Sequence, residues 1–195
     1  MNVAIFVYDN AEVMDFSGPF EVFTTAKRLS KENAIEDVFL IAEHDRPVIA
    51  RGDYLVQPHY SFESHPDIDV LVVVGGVHND EMDKPAVTAW IDSVSESATV
   101  VSSVCSGAFL LAAAGLLDGL EVTTHWDDQK ELAEQFPAVK VLPDRRWVDQ
   151  GHIVTSGGIT AGIDMSLHLV ARLVSQELAD ITAHQMEFNW ARQAG

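Results

Sequence analysis

The sequence predicts an α/β protein: a doubly wound, mostly parallel sheet with helices on both faces, forming a three-layer α/β/α sandwich. Three observations predict it. Apolar runs such as Val70 to Val74 and Thr99 to Val101 lack the in-out alternation of a half-exposed sheet, which marks strands covered on both faces. Strand-like and helix-like stretches alternate along the chain, so successive strands call for right-handed helical crossovers. The run TVVSSVCSG delivers the chain's single cysteine, Cys105, to a turn of small residues, and an apolar helical run, Ala108 to Ala114, follows at once.

Each element has its own signal. Val3 to Val7 reads as a strand, and Gly18 to Leu29 as a helix with Phe20, Val22, Phe23 and Ala26 available to face the sheet. Val38 to Ala42 is a second strand. Val48 to Arg51 and Tyr54 to Gln57 flank Gly52-Asp53, a hairpin turn. Asp69 to Val74 is a continuous apolar strand ending at Gly75-Gly76, and Lys84 to Ser97 is helical with Pro85 in its first turn. After the cysteine segment come a short strand at Val122 to Thr124, a helix at Asp127 to Phe136, and a hairpin pairing Trp147-Val148 with Ile153 to Thr155 around Gln150-Gly151. A long helix begins at Ala161 with Ile163, Leu167, Val170 and Leu173 at helical spacing, and a last helix covers Glu177 to Phe188. Residues 1–195 read as one domain, with no linker, repeat or low-complexity tract.

Composition narrows the class. The net charge of −18, from 30 acidic and 12 basic residues, argues against nucleic acid as a partner, because a phosphate-binding face needs clustered Lys and Arg. The largest basic groups are the pairs Lys27-Arg28 and Arg145-Arg146. One cysteine excludes an intramolecular disulfide and suits a reducing cytoplasm. MNVAIFVYDN has no basic n-region and reads as the first strand, and the apolar stretch near Ala108 to Leu117 is too short to span a bilayer. Histidines without ligand spacing point away from a metal, and no phosphate-binding glycine loop is present. The acidic run Asn79 to Asp83 reads as a solvated helix-entry loop.

A strand, a nucleophile on a tight turn and a helix make a nucleophile elbow, with small residues, here Ser103 and Gly107, two positions either side of the nucleophile. The helix N-terminus is expected to favour a thiolate at Cys105. In a doubly wound sheet ligands sit beyond the carboxyl ends of the strands. Four groups of residues fall there: Asp15, Gly75-Gly76, Cys105-Ser106-Gly107 and Thr123-Thr124-His125. Asp15 has a second reading as N-cap of the helix near Gly18.

This combination resembles the ThiJ/PfpI superfamily, a branch of the class I glutamine amidotransferase-like fold, along nearly the whole chain. In that family an acidic residue from the strand-one loop sits against the elbow cysteine, and AEVMDFSGP supplies Asp15. VCSGAFLLAAAGLLDG matches the elbow, VTTHW places His125 near the thiol, and TSGGITAGID looks like the isonitrile hydratase branch and the amidase-like sensor domains of AraC-type regulators. The resemblance implies a flavodoxin-like (Rossmann-like) sandwich, a cofactor-free site, a small-molecule substrate and a homodimer. It implies Cys105 as nucleophile, with Asp15 as general acid and then general base, its pKa raised if repulsion by the thiolate dominates. Backbone N–H groups near Gly76 and at Ser106 are expected to stabilise an anion, with Gly75, Gly76 and Gly107 permitting close approach. His125 is either a catalytic neighbour of the thiol or a hydrogen-bonded wall residue. Ser106 stands where hydratases carry Thr and keeps the hydroxyl, while Thr160 and Asp164 are expected to cap and orient the long helix.

Departures count too. The protease branch has His directly after the cysteine, where this chain has Ser106, and amidotransferases need a late His-x-Glu that His184 to Glu187 does not match. Redox-protective members carry Glu at the Asp15 position. Three functions stay open: hydration of isonitriles to N-substituted formamides, action on reactive dicarbonyls, or sensing of a small molecule without turnover. Phe16, Phe20, Trp126 and Trp147 are candidates for an apolar pocket or for the core.

Overall fold

The computed structural model describes residues 1–192 and 194. In chain order the elements are β1 (Asn2–Phe6), α1 (Val13–Leu29), β2 (Asp37–Ala42), β3 (Val48–Ala50), β4 (Tyr54–Val56), β5 (Tyr60–Ser61), β6 (Val70–Val73), α2 (Asn79–Met82), α3 (Pro85–Ser95), β7 (Val100–Val104) and α4 (Gly107–Ala113). They continue with β8 (Glu121–Val122), α5 (Gln129–Gln135), β9 (Lys140–Val141), β10 (Trp147–Asp149), β11 (Ile153–Ser156), α6 (Ala161–Leu173) and α7 (Gln176–Gln185).

Seven strands form one sheet in the order β10-β11-β7-β6-β1-β2-β5. All neighbours are parallel except β10 against β11. The central strands are buried throughout, which is why β6 and β7 read as unbroken apolar runs: both faces are covered. Helices α1, α6 and α7 pack together in one layer, and α2, α3 and α4 in another. Two small sheets lie outside: the β3–β4 hairpin and the parallel pair β8–β9. The hairpin turn stands at Gly52-Asp53, where both residues have positive φ (68° and 59°), the left-handed conformation such turns require.

Two local readings are corrected. The first helix begins at Val13 rather than at Gly18, because Gly18-Pro19, a boundary signal in the sequence, lies inside it. Gly18 is there for packing, since a Cβ would come within 2.9 Å of Ile163 Cγ1 on α6. The run at 79–83 is not a solvated loop: Asn79–Met82 is a helical turn with Glu81 buried at 6% exposure and its carboxylate 2.7 Å from Lys84 Nζ. The strands β5 and β9 are only two residues long and have no periodicity to betray them.

Gly107 joins the elbow to the sheet. A Cβ on it would collide with the backbone carbonyl of Val73, which is fixed in the β6 ladder. Gly107→Ala is expected to cost about 3 kcal/mol of stability in denaturant unfolding, since backbone has to part to admit one methyl.

Among the described residues no helix is long and apolar enough to cross a membrane.

Candidate active site

The carboxyl ends of β1, β6, β7 and β11 and the chain following β8 converge on one cavity of about 380 Å³. Its walls include Glu12, Arg51, Gly76, Val77, His78, Cys105, Ser106, His125, Asp127, Asp128, Glu131 and Ile159. Cys105 sits immediately after β7 with φ of +56°, a conformation that non-glycine residues seldom adopt and that is typical of strained functional turns. The turn is held from three sides. The Cys105 N–H donates to the carbonyls of Ser156 and Gly157, each at 3.2 Å, and its carbonyl accepts from Thr124 Oγ1 at 2.7 Å.

Asp15, in the first turn of α1, is fully buried behind this turn. Its Oδ2 accepts from the Gly75 N–H at 3.1 Å and its Oδ1 from the Ile159 N–H at 3.2 Å. Helix N-capping is not its role: Glu12 occupies the cap position, and Asp15 bonds to backbone 60 and 144 residues away. Gly75 shows how tightly the pieces meet. A Cβ there would lie 2.8 Å from both Asp15 Oδ2 and Cys105 Cβ, and 2.7 Å from the Ser106 nitrogen.

Burial is the largest influence on both titrating groups. It pushes the Asp15 carboxyl up to about 7, with Glu12 adding to the rise and the Gly75 and Ile159 N–H groups and Cys105 opposing it. The Cys105 thiol is pushed well above its ordinary value by burial and by the Asp15 charge, against the pull of the Ser106 N–H. Burial and the Asp15 charge therefore act against the thiolate that the helix N-terminus was expected to favour. Helix α4 is only seven residues long, and its terminus does not outweigh desolvation beside a carboxylate. The rise at Asp15 likewise comes first from burial rather than from repulsion by the sulfur.

Backbone donors also differ from expectation. The Gly75 N–H is committed to Asp15, and the Gly76 N–H donates to Ser106 Oγ at 3.0 Å while Ser106 Oγ–H donates back to the Gly76 carbonyl at 3.1 Å. A ready-made anion hole at Gly76 is thus not open in this arrangement. Close approach still demands the glycine: Gly76 has φ of +150°, and a Cβ would strike the Asn10 carbonyl.

His125 shares the cavity with Cys105, and its ring packs against Gly158, where an added Cβ would overlap it. That same Cβ would be 3.3 Å from Cys105 Sγ, so Gly158 is the spacer between ring and sulfur. His125 Nδ1 lies 3.4 Å from the Asp127 nitrogen and 3.8 Å from Asp128 Oδ2. Of the four aromatic candidates none is among the walls: Phe16 and Trp147 are buried at 4% and 3%, Phe20 stacks on His59, and Trp126 is 75% exposed.

Thr160 and Asp164 also act differently from the expectation. Neither side chain caps α6. Asp164, buried, pairs with the Arg146 guanidinium and accepts from the Ala191 N–H at 2.8 Å, while Thr160 Oγ1 receives Arg146 Nη2 at 3.4 Å. The pair ties the residues just before β10 to the start of α6, next to the Gly157–Ile159 turn that reaches Asp15. Asp164→Asn removes the charge that faces the Arg146 guanidinium and is expected to cost about 1–2 kcal/mol, read by denaturant unfolding.

The residue missed by the sequence reading is Ile159. Its φ of +57° is unusual for a β-branched residue, and this aims its N–H at Asp15. The paired glycines before it signal a close backbone approach, but nothing local says that the target is Asp15.

Comparison with known proteins agrees with this architecture. The profile of the DJ-1/PfpI family matches residues 1–172. Isonitrile hydratase of Pseudomonas putida is 30% identical over 190 residues, covering 96% of this chain and 78% of that protein. The HTH-type transcriptional regulator GbdR of Pseudomonas aeruginosa is 27% identical over 178 residues, covering 91% of this chain but 48% of the regulator, so the chain spans about half its length. Among solved structures, a ThiJ/PfpI family protein from Pseudomonas syringae superposes with a TM-score of 0.85 at 29% identity, covering 97% of this chain and 76% of that one. Drosophila melanogaster DJ-1beta shares the fold, with a TM-score of 0.83 at 19% identity over 97% of this chain and 98% of its own. With strand-one carboxylate, glycine pair and elbow cysteine gathered at one cavity, this chain belongs to the DJ-1/PfpI family.

Proposed function

We propose that this chain is a cysteine-dependent hydratase acting on isonitriles. The observation that carries the reading is the buried Asp15 beside Cys105, with its carboxyl raised to about 7, so that near neutral pH it can both give and take a proton next to the nucleophile. The 30% identity to the Pseudomonas putida isonitrile hydratase supports the choice of substrate.

In this reading the cysteine and aspartate together hold one exchangeable proton. The Cys105 thiol gives the shared proton to the Asp15 carboxylate as its sulfur attacks the terminal carbon of R–N≡C, forming the C–S bond. That carbon takes the shared proton from Asp15 and leaves a thioimidate, R–N=CH–S–Cys105. Asp15, now a carboxylate, draws a proton from an incoming water as its oxygen bonds to the carbon, and the nitrogen receives a proton through Asp15. The C–S bond then breaks and the electron pair returns to sulfur. The hydroxyl proton returns to the cysteine–aspartate pair as R–NH–CHO leaves. The sum is one isonitrile and one water giving one formamide. Ser106 follows Cys105 in the turn, and turning its hydroxyl away from Gly76 would free the Gly76 N–H for the polar atoms of the intermediate.

Incubating purified protein with cyclohexyl isonitrile and following the N-substituted formamide tests the reading. Formamide at a rate proportional to enzyme is the expected result; its absence across several alkyl isonitriles overturns the assignment. A second reading, a sensor that binds without turnover, draws support from the GbdR similarity and from the elevated thiol. Ligand binding that survives removal of the thiol, with no product formed, favours it. We also propose a homodimer on one domain per chain, which sedimentation measures.

A further inference from the structure

On the reading of Asp15 as proton donor and acceptor for isonitrile hydration, we infer that Arg146 is a positioning residue: it grips both ends of the turn at residues 157–160 and so holds the Ile159 N–H on Asp15. Arg146 directly precedes β10, and the turn joins β11 to α6. At the near end the Arg146 carbonyl accepts from the Gly157 N–H at 2.9 Å. At the far end its guanidinium reaches Thr160 Oγ1 at 3.4 Å and pairs with Asp164, whose buried carboxylate also accepts from the Ala191 N–H. A planar guanidinium bridges two acceptors at fixed angles, which a flexible ammonium does not reproduce.

Between these two ends lies the part of the site least able to hold itself. Ile159 is β-branched with a φ of +57°, a conformation that lasts only where the surroundings over-determine it. Its side chain is 39% exposed, so packing does little to fix it. Yet the turn meets the site at three points. The Gly157 carbonyl accepts from the Cys105 N–H, Gly158 separates the His125 ring from the sulfur, and the Ile159 N–H donates to Asp15 Oδ1 at 3.2 Å. Arg146 is not among the cavity walls and acts by fixing the segment that is. The second donor to Asp15, the Gly75 N–H, stands just beyond β6 and does not depend on Arg146. The other titratable groups bearing on Asp15 are Glu12 ahead of α1, Tyr8 after β1 and Cys105, with His125 against the turn. Without the Ile159 N–H the carboxylate is one donor short, and its protonated form is favoured.

Amide NMR reads the two donors separately and needs no substrate. In the parent the Gly75 and Ile159 amide protons are expected to move downfield together between about pH 5 and pH 9 as Asp15 ionises, and Asp15→Asn should remove the movement at both. In Arg146→Gln the Ile159 movement should fall by at least about half while that of Gly75 remains, with its midpoint raised by about half a pH unit or more. Asp164→Asn loosens the same grip with the opposite change of charge, so a positioning role moves the midpoint upward again, whereas charge alone moves it downward. Arg172→Gln breaks a comparable pair, with Asp149, away from the cavity and should leave both amides as in the parent. Parental movement of Ile159 in Arg146→Gln, opposite shifts in Arg146→Gln and Asp164→Asn, an equal loss in Arg172→Gln, or no titration of either amide in the parent overturns the inference. Failure of the hydratase reading looks different: the amide pattern holds, and no isonitrile gives formamide.

Discussion

Cys105→Ala is expected to lower isonitrile turnover by at least about 10³-fold, leaving only the slow background of a bound, uncatalysed substrate. The fold should survive. The bonds that hold the elbow run through the Cys105 backbone, to Ser156, Gly157 and Thr124, and none of them needs the sulfur. Stability is expected to stay within about 1 kcal/mol of the parent, because alanine keeps the Cβ and loses one small polarisable atom. Formamide production above a tenth of the parent rate would remove the cysteine as nucleophile and with it the thioimidate route.

Asp15→Asn has two separable consequences. Turnover should fall by about 10²–10⁴-fold, the range for loss of a positioned acid and base. Asparagine cannot reproduce the acceptor pair either: one of its two groups is an NH₂ facing the N–H of Gly75 or Ile159. The second consequence is in stability against pH. A carboxyl whose pKa rises from 3.8 to about 7 on folding binds more protons in the native state than in the unfolded chain. Its contribution is therefore fully present below about pH 4 and is lost as pH climbs toward 7, by up to about 4 kcal/mol for a group this buried. The amide that replaces it cannot titrate. Unfolding curves at pH 5 and pH 8 should show the parent losing more stability than the variant across that interval. Parallel curves for the two proteins would mean that burial does not raise the proton affinity of Asp15 in the folded protein.

The same residues show where the sequence was legible. The strand before Cys105, the small residues at 103 and 107 and the helix behind them can be read because an elbow is a local object. Strand, turn and helix follow one another within fifteen residues, and steric limits at the bend restrict the side chains. The Gly52-Asp53 hairpin and the β10–β11 hairpin are legible for the same reason. The start of α1 was not, because Gly18-Pro19 locally signals a boundary while its real constraint is the closeness of Ile163, 145 residues further on. Glu81 looked solvated because its neighbours are acidic, and only packing buries it against Lys84.

By itself the sequence determined the layer architecture, the position of Cys105 on its elbow and the fact that Asp15, Gly75-Gly76 and His125 fall at strand ends. All of these follow from periodicity and turn chemistry over short spans. Tertiary structure alone decided what those groups do to one another. It buries Asp15, so that desolvation rather than a helix terminus governs the proton between carboxyl and thiol. It closes the Gly76 N–H on Ser106 and brings the Ile159 N–H across to Asp15. The physical reason is distance. Proton affinity and hydrogen-bond partnership depend on groups a few ångströms apart in space, and here those groups are 30 to 144 residues apart in the chain.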